Sequence, residues 1–156
     1  MSDDELNALF RAVPPGVLLE VYLDTCHSGE GLRSIDMLLD RRPRFIPPPT
    51  AKACRALQGR APRGVNRLLN RSGVVHHILW AACRSNQTSA DAKIDGGWHG
   101  AFTYYFCKEM RDHRNGLSRP DLLGEVRKDL AGHYAQVPQL ECQATVRAAR
   151  VAAEVR

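Results

Sequence analysis

The stretch from Val17 to Gly29, VLLEVYLDTCHSG, constrains this chain more than any other. Pro14-Pro15-Gly16 stands in front of it, and its Val and Tyr content selects a strand over a helix. Apolar side chains fall on both faces of the run, the pattern of an inner strand covered by helices on both sides. The run ends at Asp24, and Cys26, His27, Ser28 and Gly29 follow. In open α/β sheets the strand tips form the crevice where ligands bind, so Cys26 stands where a thiol can do chemistry. A small hydrophobe closing a strand is the commoner fate of a lone cysteine. The neighbouring segments have to decide between the two.

Ahead of this strand, Ser2 to Glu5 reads as a capping box, and Leu6, Leu9, Phe10 and Val13 recur at helical spacing until the Pro-Pro-Gly stop. A second apolar run, His76 to Cys83, forms another strand and leads into Arg84 to Asp91, a loop of small hydrogen-bonding residues at a second strand tip. Gly96-Gly97 precede a helical pattern from Trp98 to about His113, with Ala101, Phe102, Tyr105, Phe106 and Met110 on its apolar face. Ser118 caps a further helix that carries Pro120 in its first turn and turns Leu122, Leu123, Val126 and Leu130 inward. Gln136 to Cys142 reads as a short edge strand, because Pro138 cannot donate to a central ladder. The alanine-rich tail reads as helical or frayed.

Charge is unevenly spread. Nine of the 22 basic residues (Arg41, Arg42, Arg44, Lys52, Arg55, Arg60, Arg63, Arg67 and Arg71) lie between Arg41 and Val75, where no acidic residue occurs. The other 13 face 17 acidic residues, so the basicity belongs to one Pro- and Gly-rich segment. A nucleic-acid arm needs stacking aromatics, and Phe45 alone serves there, which argues against nucleic acid as a partner. The segment reads as a linker. Five widely separated cysteines, without metal-ligand spacing, point to a reducing, cytoplasmic setting and not to a disulfide framework or a zinc site. Neither a signal peptide nor a membrane span is expected, and hence no membrane partner.

The motif Asp24-Thr25-Cys26-His27-Ser28-Gly29 resembles the nucleophile motif of metacaspases and of the bacterial caspase-like orthocaspases. Ala82 to Asp91, with Gly100-Ala101-Phe102-Thr103 behind it, is similar to the opening of their small subunit, and Tyr134 to Leu140 resembles the element that closes their sheet. The resemblance implies an α/β, caspase-like three-layer sandwich with a mostly parallel sheet, helices on both faces and its first strands missing. It divides the chain into a large-subunit part (1–40), a basic intersubunit linker (41–75), a small-subunit part (76–145) and a tail (146–156). It implies a cysteine endopeptidase in which Cys26 is the nucleophile, with the backbone amides of Cys26 and Gly29 as oxyanion donors. Asp24, Ser28 and Asp91 are the substrate-binding residues it implies, Asp24 selecting Arg or Lys at the cleaved position. The basic linker is then a candidate for self-cleavage.

Two departures matter. The family's catalytic histidine lies upstream of the cysteine, whereas no histidine precedes Cys26 here. His27 diverges from its neighbour, His76 and His77 open the second strand, and His99, His113 and His133 fall on or beside helices. A partner chain supplying the histidine and the missing strands is one expectation, and a catalytically inactive interaction module is the alternative. Calcium activates some family members, but no calcium site can be assigned, and no other cofactor is expected.

Overall fold

The computed structural model describes residues 8–10, 12–14, 17–25, 41–43, 77–84 and 87–151. The chain divides into two compact units, Met1–Leu19 with Ile46–His77, and Glu20–Phe45 with Ile78–Arg156. In the first, residues 8–10 are helical, and the amide of Ala12 donates to the carbonyl of Ala8 at 3.1 Å. The helical turn ends at Val13, whose amide bonds to the Phe10 carbonyl, and Pro14 then supplies no amide to continue it. The capping box at Ser2 and Glu5 lies outside the described residues.

The second unit holds most of the described structure. Strands β1 (Leu19–Leu23), β3 (His77–Ala81) and β6 (Gln139–Glu141) form one sheet in the order β1-β3-β6. Strands β2 (Arg41–Pro43), β4 (Ala90–Ile94) and β5 (Gly97–Gly100) form another in the order β2-β4-β5. Three helices complete it, α1 (Ala101–Asp112), α2 (Arg119–Leu130) and the single turn α3 (Ala144–Arg147). The α/β character is as expected. The described residues form two three-stranded sheets, in which β3 with β6, β2 with β4 and β4 with β5 pair antiparallel.

β3 is the inner strand. Ile78, Leu79 and Trp80 are all buried, and β6 crosses it in register Leu79 to Glu141, Trp80 to Leu140 and Ala81 to Gln139. Pro138 immediately precedes β6, where its missing amide costs the ladder nothing. β1 is not the fully covered strand its apolar sequence suggests, for it lies at one end of the described sheet and Tyr22 remains 43% exposed.

The core forms where both long helices meet β3. Phe102 and Phe106 of α1 and Leu122, Leu123, Val126 and Leu130 of α2 pack with Ile78, Trp80, Leu140 and Val151. Each large apolar side chain so buried contributes roughly 1.5–3 kcal/mol. Trp80 and Phe106 meet edge to face at 5.1 Å. Ser118 caps α2 as its sequence predicts, its hydroxyl accepting the Asp121 amide at 3.4 Å, and Pro120 occupies the first turn.

Two elements differ from expectation. Residues 90–100 form a β-hairpin, so Trp98 lies on β5 and the helix begins only at Ala101. Asp95 and Gly96 both take positive φ, 51° and 82°, the mirror-image turn whose twist suits two antiparallel strands. The tail, expected to be helical or frayed, has one helical turn in α3 and is anchored as far as Val151. Arg150 bridges to Ser118, the Asn115 side-chain amide donates to the Val151 carbonyl at 2.7 Å, and Val151 is buried.

Candidate active site

Asp24 follows the last residue of β1, and its carboxylate ties three segments together. Oδ1 accepts the Ser89 hydroxyl at 2.6 Å. Oδ2 accepts the Thr103 hydroxyl at 2.6 Å and the Thr103 backbone amide at 3.3 Å. Thr103 is the third residue of α1, whose own N-cap position is Gly100 and offers no side chain. Asp24 therefore caps a helix that begins far away in sequence, and the positive end of the helix favours the carboxylate in turn. Both described donor residues are neutral, and they orient the carboxylate.

The strand tips beside it are bound to one another. The Ala82 amide donates to the Leu23 carbonyl at 2.9 Å, and the buried Cys83 thiol lies 3.3 Å from the Gln87 carbonyl. Gln87 and Gln136 then act as substitutes for missing backbone pairing. Gln87 donates to the Ala135 carbonyl at 2.6 Å and accepts the Val137 amide at 3.0 Å. Gln136 accepts the Ala90 amide at 2.8 Å and donates to the Ala82 carbonyl at 3.3 Å. The polar loop after β3 is thus fixed against the segment before β6, and Ser89, at 0% exposure, is held in place to reach Asp24.

Four residues before Asp24, on β1, a second carboxylate has another role. Glu20 receives Arg119 through both oxygens, Nε to Oε1 at 3.0 Å and Nη2 to Oε2 at 3.1 Å, while the Trp80 indole donates to Oε1 at 2.9 Å. Arg119 is 2% exposed and also donates to the Val146 carbonyl at 2.9 Å. This pair closes the interior beneath the site.

A family profile described as the caspase domain matches residues 1–149. The chain belongs to the caspase-domain family. It is 28% identical over 169 residues to metacaspase-1B of Neosartorya fischeri, a match that covers 90% of this chain and 40% of the relative. Metacaspase-1A of Aspergillus fumigatus is 29% identical over 168 residues, with 90% and 40% covered. Metacaspase-1 of Coccidioides immitis is 29% identical over 168 residues, with 90% and 36% covered. The caspase-domain chain thus spans about two-fifths of the length of these fungal relatives.

Within this caspase-domain chain, the expected site residues fall into two groups. Cys26, Ser28 and Gly29, with His27 and His76, lie outside the described residues. Asp24 stands at the strand tip with Ser89 and Thr103. Asp91 is half-buried on β4, where the register sets it opposite Arg42 on one side and Gly100 on the other. Of the histidines, His77 opens β3, at the end of the strand remote from Ala82 and Cys83. His99 is 5.4 Å from the Tyr104 ring, His113 bonds to Glu109 at 3.3 Å, and His133 lies beside Tyr134. Among the described residues no three His, Cys, Asp or Glu side chains are placed to share a metal ion. Nor is any described helix long and apolar enough to cross a membrane.

Sequence reasoning missed Ser89, Thr103 and Gln136 as site-building residues. The available signal was Gly100, which leaves the start of α1 without a local cap and so calls for a carboxylate from elsewhere.

Proposed function

We propose that this chain carries the nucleophile and the specificity acid of a cysteine endopeptidase that cleaves after Arg or Lys. The observation that carries the reading is the Asp24 carboxylate, fixed at the strand tip two residues before Cys26 by the neutral donors Ser89 and Thr103. A charge oriented there suits a guanidinium or ammonium, since a charge-assisted hydrogen bond is worth about 1.5–3 kcal/mol. The Cys26 thiolate attacks the scissile carbonyl, the leaving amine takes the proton from the base, and water hydrolyses the thioester. Membership of the caspase-domain family supports this chemistry. The base is a histidine supplied by protein outside this sequence, an upstream segment or a partner chain that also extends the sheet.

A peptidyl chloromethyl ketone tests the reading, because it alkylates the nucleophilic sulfur while its side chain samples the pocket. The arginyl reagent should modify Cys26 at least about tenfold faster than the leucyl one. Asp24→Asn should abolish that preference. Equal rates for both reagents with the unaltered chain would sink the assignment of Asp24 as selector.

A further inference from the structure

Three arginines from separate elements gather where the chain leaves β3. Arg127, in the last turn of α2, sets its Nε and Nη2 against the Pro138 carbonyl at 2.9 and 2.6 Å, which fixes the plane of the guanidinium. β6 pairs with β3 as far as Gln139 opposite Ala81, so Pro138 lies beside the chain that runs on through Cys83 to Arg84. α3 is held to the first turn of α2, for Arg119 donates to the Val146 carbonyl at 2.9 Å, and Arg147 is the next residue. Arg84 and Arg147 are exposed. The Arg127 pKa is lowered, first by partial burial and then by the positive charges of Arg84 and Arg147. An arginine stays protonated at neutral pH all the same, so three like charges are held near one another.

The described carboxylates on the adjoining elements are engaged elsewhere. Glu125 pairs with Lys128 at 2.7 Å, Asp129 with Lys108 at 3.0 Å and Glu20 with Arg119 at 3.0 Å, while Glu141 on β6 has its pKa raised by burial. Like charges repel, and a ligand of opposite sign removes that cost. We infer that Arg84, Arg127 and Arg147 form a binding site for a phosphoryl group, with Arg127 as its fixed centre. Nε and Nη2 of Arg127 are spent on Pro138, which leaves Nη1 for the ligand. Three guanidinia exceed what one carboxylate can pair with, whereas a phosphoryl group brings about two negative charges and several acceptor oxygens to share among them. The group belongs to free phosphate or to a phosphate ester, and the site requires nothing of the peptidase reading.

The test measures binding of tripolyphosphate to the full chain by isothermal titration calorimetry. Arg127→Lys keeps the charge but loses the planar fork, and should weaken binding about three- to tenfold. Arg84→Gln and Arg147→Gln should each weaken it about tenfold, the loss of one charge-assisted contact. Neither side chain makes a hydrogen bond among the described residues, so both variants should melt with the parent when no ligand is present. Arg60→Gln with Arg63→Gln, in the basic segment, should leave the affinity within about twofold, because net charge alone does not make the site. Parent-like affinity in Arg127→Lys or Arg147→Gln, or an equal loss in the Arg60 and Arg63 variant, would overturn the inference. Inorganic phosphate and O-phosphoserine, added as competitors, identify the source. Displacement by inorganic phosphate at the lower concentration assigns a free phosphate, displacement by O-phosphoserine assigns an ester, and displacement by neither overturns the site.

Discussion

Glu20 and Asp24 belong to the same stretch of chain, yet they are stabilised in opposite ways. Glu20 meets a guanidinium through both oxygens and an indole N–H, and Arg119 on the other side is almost wholly shielded from water. Asp24 meets two hydroxyls and one amide. The first arrangement neutralises a charge so that it can be buried, and the described contacts of the second orient a charge through neutral donors. The contrast lies in the partners each carboxylate meets among the described residues. It also has a mechanical logic, because the Glu20 pair links β1, β3 and α2 behind the tip that Asp24 must hold still.

The largest effect should come from breaking the buried pair. Arg119→Met leaves Glu20 facing only the Trp80 indole among the contacts described above, and the loss of one partner from a buried pair costs about 3–5 kcal/mol. Urea denaturation should show that loss, and combining Arg119→Met with Glu20→Leu should restore most of it. A single variant within about 1 kcal/mol of the parent would show that the pair is incidental.

Thr103→Val sharpens the contrast from the other side. It removes one of the three described hydrogen bonds to Asp24 but keeps the backbone amide and the shape of the side chain. The expected loss of stability is only about 1 kcal/mol. The preference for the arginyl over the leucyl chloromethyl ketone should nevertheless fall several-fold, and Thr103→Ser should recover it. A uniform fall in both labelling rates would instead mean that Thr103 merely supports the helix.

How legible these features were follows from the distance over which each is encoded. The cap at Ser118, the inward face of α2 and the short strand after Pro138 depend on neighbours a few residues apart, and they stand where the sequence puts them. The hairpin was readable too, since Asp95-Gly96 is a strong turn signal, but Trp98 and the residues after it also satisfy a helical period and that pattern masked the turn. The Arg119–Glu20 and Thr103–Asp24 contacts join residues 99 and 79 positions apart. No local pattern encodes such a pairing, because it depends on which strand tip the fold brings to which helix. Half-exposure of β1 was hidden for a related reason, for an apolar run shows that a strand can be covered but not where it sits in the sheet.

A third carboxylate completes the series and gives the smallest effect. Glu141 on β6 has its pKa raised, and burial is the cause. Among the described residues neither a cation nor an array of donors compensates that burial, so folding favours the neutral acid. Because the folded value lies above the unfolded one, the contribution of Glu141 to stability is fully present below the ordinary carboxylate range and is lost as the pH rises through the raised value. Near neutrality the ionised side chain is therefore a small liability. Glu141→Gln should raise the melting temperature at pH 7 by about 1–2 °C. The gain should shrink to nothing as the pH falls below about 4, where the native side chain is itself neutral. Thermal scans of the two proteins across that range decide the matter. A gain that persists unchanged at low pH would assign the effect to packing, and a loss at pH 7 would mean that the ionised carboxylate is stabilised in the fold, making Glu141 a second member of the Glu20 class.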